Sequence, residues 1–456
     1  MSPLPTKVII DTDPGIDDVL AMLLALSASA EELEVLLISV TFGNVGVQSC
    51  LRNVVALFHV IEKELEWRRS NGRPLGFQCL RACRPLVAAG ADGPLDDQLL
   101  MADYFHGVDG LAGVHSSVSY EHQHLSPPET WKTLFSTPPS SDIATTTIAA
   151  QAEIDTNPNT RLFIPSQRPS HLEIIRILDE NPPDTVTIVA VGPLTNIALA
   201  ASHSPQSLMR AKAILVMGGA VDFPGNMTPL AEFNTYADTV AAARVFALTS
   251  PDPASTMPPS PPPSDSPNTK SATPLPPYPL TNDLGARRLN LILFPLDITT
   301  QHFLHKSDVI SKVSPQCKNG SPLAEWVEAF LTPTFTKMGS LYSEDSGLEG
   351  TGSVMSLHDP MCVWYAIEGE PQRDKWIIKQ GEDIRVETAG QWTRGACVID
   401  KRGRQKLTAE EEEQGLSGDT DSWCSLSKGN RLGRCVGTPG EEVLGKYLLD
   451  VVFGTN

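Results

Sequence analysis

The chain has no apolar stretch of membrane-spanning length, and its first residues, MSPLPTKV, carry no basic region followed by a long apolar core. Neither a bilayer-spanning helix nor a secretory leader is expected. Cysteine is sparse: eight in 456 residues, with Cys79 and Cys83 four apart and no second such pair. That pattern makes no disulfide framework and no zinc site, and favours a reducing, cytoplasmic setting. Positive charge is short as well, 35 Lys and Arg against 54 Asp and Glu, a net charge of −19. Nucleic acid and anionic membrane are accordingly not expected as partners. What is present, 41% apolar and 20% charged residues, suits a soluble globular protein with a sizeable core.

The densest chemistry lies in residues 7–26, KVIIDTDPGIDDVLAMLLAL. Val8, Ile9 and Ile10 read as a buried strand, while Leu20, Ala21, Leu23 and Leu24 recur at helical spacing. Between them stand Asp11, Asp13, Asp17 and Asp18, with Pro14 and Gly15 forcing a tight turn. Four carboxylates at one strand end repel each other unless a cation, a proton or a hydrogen-bonding ligand offsets the charge. The positive end of a helix explains Asp17 or Asp18, but not Asp11 and Asp13 on the strand side. An EF-hand fails, because counting from Asp11 puts Gly15 at position five and Met22 at position twelve. A haloacid dehalogenase-like phosphohydrolase, with two Asp two apart after an early strand, remains an alternative. It has no use for the Asp17–Asp18 pair.

Further strands are expected at 35–42, 186–191, 213–217 and 291–296, a short strand and turn over 85–95, and helices at 51–62, 172–178 and 196–201. This alternation predicts an α/β fold with an open, mostly parallel, Rossmann-like sheet flanked by helices. Later helices are expected at 307–313, 322–331 and 441–453, and strands at 384–388 and 396–399. Residues 104–115 read as a loop carrying His106 and Asp109, and 346–352 as a glycine-rich loop. The whole chain, 1–456, reads as a single domain with low-complexity insertions at 116–168 and 251–279, the second holding twelve prolines. An acidic, Gly/Ser-rich patch lies near 408–430.

In open parallel sheets, ligands bind beyond the carboxyl ends of the strands. Residues 11–18, Asn44 and the pair Gly218-Gly219 fall there, followed by GNMTPLAEFNTY at 225–236 with Asn226, Glu232 and Asn234. His358 and Asp359 precede an apolar helix, where Asp359 could equally be an N-cap. The string DTDPGIDD resembles the N-terminal signature of the nucleoside hydrolases, enzymes that cleave the N-glycosidic bond of ribonucleosides. GPLTNIALA at 192–200, MGGA at 217–220, GNMTPLAEFN at 225–234 and HDP at 358–360 are similar to family segments, in the same order. The resemblance covers 7–116, 172–245, 290–302 and 356–400.

It implies the nucleoside hydrolase fold, a small-molecule ribonucleoside substrate, one Ca²⁺ and a cytoplasmic homodimer or homotetramer. By motif position the metal ligands would be Asp13, Asp18, the carbonyl of Val191 and Asp359. The family usually has Thr where Val191 stands, a small departure when a main-chain oxygen does the binding. Asp13 would act as general base on water, and His358 as general acid for the departing base. Asp17, Asn44, Asn234 and Asp359 would grip the 2′ and 3′ hydroxyls, and Asn226 and Glu232 the 5′ hydroxyl. Met217 and His106 complete the substrate contacts, His106 near the base. The bond would break through an oxocarbenium-like ribosyl cation. The rival of another class is a Ca²⁺-dependent ribose- or nucleoside-binding protein without catalysis. Intact Asp13 and His358 argue against it. Histidines at both base-facing positions favour a pyrimidine- or inosine-accepting form.

Overall fold

The computed structural model describes residues 4–96, 99–115, 122–135, 162–258, 284–341, 353–368, 373–414 and 418–454. Seven strands come first: β1 (Thr6–Thr12), β2 (Leu33–Val40), β3 (Leu86–Ala89), β4 (Ile164–Ser166), β5 (Val186–Ala190), β6 (Ala213–Met217) and β7 (Leu291–Phe294). Next, β8 (Phe303–His305) and β9 (Val354–Ser356) form a separate antiparallel pair. After β10 (Ile377–Glu382), β11 (Arg385–Val386) and β12 (Cys397–Val398) pair with each other, and β13 (Leu432–Gly437) comes last. One nine-stranded sheet results, in the order β10-β13-β7-β6-β5-β1-β2-β3-β4. Its pairs are parallel except β10 against β13.

The order of winding reverses at β1. Strands β2 to β4 lie on one side of it, and β5 to β7 on the other. That switch point leaves a crevice beyond the carboxyl ends of β1, β2 and β5, the place where such sheets bind ligands. Successive β1 side chains serve opposite faces: Val8 and Ile10 join one core, with α1 (Ile16–Ser27) and α2 (Val47–Ser70), and Ile9 joins the other. The second core is covered by helices Ser170–Glu180, Thr195–His203 and Thr239–Ala247. In α1, Leu20, Leu23, Leu24 and Leu26 are at most 1% exposed, each worth about 1.5–3 kcal/mol of burial. Only Asp17 of that helix reaches partly into the open. Thus α1 is a core helix whose N-terminus is pinned at the crevice.

Several elements differ from the sequence reading. The strand expected to 296 stops at Phe294, because Pro295 has no N–H for the ladder, and Leu296–Thr299 becomes a helical turn. Asp103–His106 is one helical turn within the segment read as a loop from 104. Ile164–Ser166, inside the supposed insertion 116–168, is the edge strand β4. Strands β10 and β13 were not anticipated at all: IIKQGE lacks apolar alternation, and LGRCVG carries two glycines and a charge. Arg434 in β13 is nonetheless buried, tied to Glu382, Asp222 and Asp297. Loop 346–352 and most of 116–168 and 251–279 lie outside the described residues. Among those described, no helix is long and apolar enough to cross a membrane.

Candidate active site

Beyond β1 the chain turns through Pro14 and Gly15 straight into α1, so Asp13, Asp17 and Asp18 arrive together. Asp18 is held on every side. Its Oδ1 accepts the Thr12 hydroxyl at 2.6 Å and the Asp13 N–H at 3.2 Å, and its Oδ2 accepts the Gly15 N–H at 3.0 Å and Asn44 Nδ2 at 2.8 Å. The reach back to Gly15, from the third helical residue to the N-cap, makes the helix start and the site one structure. Asn44 also donates its N–H to Asp13 Oδ2 at 2.7 Å and its Nδ2 to the Asp13 carbonyl at 3.1 Å. Asp13 Oδ1, by contrast, is buried without a hydrogen-bond partner among the described residues. Gly192 and Gly43 wall that carboxylate: a Cβ on Gly192 would lie 2.5 Å from Oδ1, and one on Gly43 would overlap Oδ2.

Asp359, in the first turn of the helix His358–Glu368, closes the group. Asp17, Asp18 and Asp359 each bring a carboxylate oxygen within 4.8 Å of the others, an arrangement able to hold a metal ion. Asp13 stands outside that tightest trio. Burial raises the proton affinity of all four. Asp17 is pushed to about 8 by burial and the charge of Asp18. Asp13 and Asp359 are driven well above the carboxylate range by burial and then by neighbouring acids, and Asp18 is raised by burial. Acids crowded in this way keep protons unless a cation displaces them. The donor set is oxygen throughout, and Asp13 offers an unpaired one, so the residues fit a hard cation.

Past β5, the Val191 carbonyl accepts Asn234 Nδ2 at 2.9 Å. Asn234 Nδ2 also lies 3.4 Å from both the carbonyl and the sulfur of Met217, the last residue of β6. Glu232 caps the helix Phe233–Ala237, taking the N–H groups of Gly219 at 2.8 Å, Asn234 at 2.7 Å and Thr235 at 2.9 Å. Asn226 is exposed and spends its Oδ1 on the Phe233 N–H at 2.9 Å. Both residues thus brace the loop after β6, where sequence reading assigned them to the substrate alone.

His106 Nδ1 accepts the Ile16 N–H at 3.1 Å. A backbone N–H only donates, so the His106 proton sits on Nε2 and the ring is neutral. Gly15 permits the approach, since a Cβ there would lie 2.5 Å from Nδ1. Burial and the nearby His358 push His106 down to about 3. Its loop is held by Asp109, which takes the N–H groups of Leu111, Gly113 and His115 at 2.7–3.0 Å. His358 Nδ1 lies 2.8 Å from the Thr299 hydroxyl, and burial lowers this ring to about 4.

Sequence reading passed over Thr12, Asn196 and Thr299. Asn196 donates to Asp11 Oδ1 at 2.8 Å and accepts the Ala91 N–H at 2.9 Å, tying β1 to the chain after β3. It stands inside the segment GPLTNIALA, which could have flagged it. No local signal marks Thr299, 59 residues before His358.

A family model described as inosine-uridine preferring nucleoside hydrolase matches residues 8–417. The non-specific ribonucleoside hydrolase RihC of Salmonella agona (strain SL483) is 27% identical over 398 residues, 87% of this chain and 88% of RihC. Among solved structures, the plant nucleoside hydrolase PpNRh1 aligns with a TM-score of 0.60 at 20% identity, covering 99% of this chain and 100% of its own. A purine-preferring ribonucleoside hydrolase from Gardnerella vaginalis gives 0.58 at 18% identity, with 98% of each chain covered. At such identities the two superpositions speak for the fold. The family match takes in nearly the whole chain and the acidic crevice with it: this chain is an enzyme of the inosine-uridine preferring nucleoside hydrolase family.

Proposed function

We propose that this enzyme hydrolyses the N-glycosidic bond of ribonucleosides to free base and ribose, with Ca²⁺ held by Asp13, Asp18, the Val191 carbonyl and Asp359. The observation that carries the reading is Asp13 Oδ1, buried and unpaired against Gly192 beside the Asp17–Asp18–Asp359 group. A hard cation bound there neutralises the acids and polarises a water. Asp13 takes a proton from the attacking water as its oxygen bonds to C1′. The C1′–N bond breaks with its electron pair on the base nitrogen, which His358 protonates as an imidazolium, the ring ending neutral. The carboxylates around the ribose favour the positive charge that develops on it. Asp17, Asn44, Asn234 and Asp359 grip the 2′ and 3′ hydroxyls, Asn226 and Glu232 the 5′ hydroxyl, and Met217 lines the ring. His106 offers its Nε2–H to the base as a neutral donor, and the two histidines suit a pyrimidine nucleoside or inosine. The setting we assign is cytoplasmic, as a homodimer or homotetramer.

Free ribose released from a panel of ribonucleosides in the presence of Ca²⁺ tests the reaction. Binding without ribose would make the protein a nucleoside-binding module, and Mg²⁺-dependent release of phosphate from a phosphomonoester would make it a phosphohydrolase. The role of His358 has its own test. His358→Ala should slow cleavage of the best nucleoside about a hundredfold to ten-thousandfold, and affect far less a nitrophenyl riboside, whose leaving group needs no proton. Equal losses on both would remove His358 from base departure.

A further inference from the structure

We propose that Thr299 is the positioning residue of His358, orienting the ring so that its Nε2–H meets the departing base. This deepens the hydrolase reading above and rests on it. Thr299 ends the helical turn Leu296–Thr299 at the carboxyl end of β7 and is fully buried. Its hydroxyl lies 2.8 Å from His358 Nδ1. The next residue, Thr300, spends its hydroxyl on the Leu296 carbonyl at 2.7 Å, as helical threonines commonly do. Thr299 makes no such bond, and its hydroxyl has the imidazole nitrogen as its one partner among the described residues.

A buried hydroxyl proton with a single acceptor in reach goes to that acceptor, because an unmade buried bond is costly. In the neutral ring Thr299 accordingly donates, Nδ1 accepts, and the His358 proton resides on Nε2. When the ring takes a second proton to act as the acid, the hydroxyl turns and its oxygen accepts Nδ1–H, with Nε2–H still aimed at the base. The two backbones are stapled beside this contact. The Thr299 N–H bonds the Pro295 carbonyl at 3.1 Å, and the Leu357 N–H bonds the His302 carbonyl at 2.9 Å. Phe303 in β8 pairs with Ser356 in β9 directly alongside. The ring is thus oriented before substrate arrives, the condition under which positioning helps the reaction. Thr299 touches no reacting atom and acts only through His358.

Thr299→Val keeps the shape and removes the hydroxyl. Its kcat on the best-cleaved ribonucleoside should fall about tenfold with KM little changed, and Thr299→Ser should restore it. Cleavage of a nitrophenyl riboside should fall much less in Thr299→Val. Adding Thr299→Val to His358→Ala should cost nothing further on the nucleoside. Equal losses on both substrates, or an added loss in the double variant, would overturn the proposal. Should Thr299→Val not fold, nitrogen NMR of the neutral His358 ring in the native protein decides: Nε2–H with a bare Nδ1 supports it, and a neutral ring protonated on Nδ1 overturns it. If His358→Ala itself fails to separate the two substrates, the reading of base departure falls, while the NMR result still judges Thr299.

Discussion

Ile16 donates its backbone N–H to Nδ1 of His106, 90 residues away, at 3.1 Å. A ring so held cannot take a second proton without losing the bond, and burial with the nearby His358 places His106 at about 3. It stays neutral wherever the enzyme is assayed near neutrality. His106→Ala should lower kcat/KM on nucleosides by one constant factor from about pH 5 to about pH 8, the range in which an ordinary histidine would titrate. A loss that faded as pH rose would show His106 acting as an imidazolium.

Asp18 accepts four hydrogen bonds as well as belonging to the acidic trio, so its truncation to Ala removes structure along with charge. Asp18→Asn isolates the charge. Calcium titrated calorimetrically into Asp18→Asn should bind at least tenfold more weakly than into the parent protein, since hard cations favour charged oxygen ligands. Unchanged Ca²⁺ affinity, or stoichiometric zinc in the parent, would remove the metal assignment.

Metal-free protein should lose stability as pH rises. Burial holds Asp11 at about 7, and burial with Asp18 holds Asp17 at about 8, against an unfolded value of 3.8. A carboxyl raised by folding binds more protons folded than unfolded. Its contribution is intact below the unfolded value and is lost as pH climbs through the folded one. Melting temperature in chelator should therefore fall between about pH 4 and about pH 8, and Ca²⁺ should flatten the slope. A chelator profile that rises over that interval would contradict the protonated cluster.

Gly192 needs no left-handed backbone, so Gly192→Ala tests contact alone: its Cβ would sit 2.5 Å from Asp13 Oδ1. Displacing that carboxylate by about an ångström should cost on the order of a hundredfold in kcat/KM. Activity near that of the parent would mean that the unpaired oxygen is not where the chemistry occurs.

The proline-rich segment offers a boundary test. Within 251–279, Pro253 is buried, the Thr256 hydroxyl donates to Asn430 Oδ1 at 2.6 Å, and Ser255 Oγ accepts the Gly429 N–H at 3.2 Å. Excising 259–279 should leave activity within about twofold, because loop length costs little. Removing 251–279 should lower the melting temperature too. Inactive yet folded protein after the shorter excision would show that the segment shapes the crevice.

What the sequence by itself determined is what lies close along the chain. The apolar run of β1, the Pro14-Gly15 turn and the helical spacing of α1 place Asp13, Asp17 and Asp18 at one strand end, because backbone periodicity and turn chemistry act over a few residues. The alternation of strand and helix likewise entailed a parallel sheet with its site at the carboxyl edge. Tertiary structure alone decided the rest. Strands β4, β10 and β13 are short or polar and belong to the sheet only because a neighbouring edge accepts them. Asn44 looked like a ribose contact, and the fold also makes it the clamp on Asp13 and Asp18. Ile16 on His106 and Thr299 on His358 are bonds across 90 and 59 residues. No period in the sequence encodes them, because a hydrogen bond between distant residues depends on which surfaces packing brings face to face.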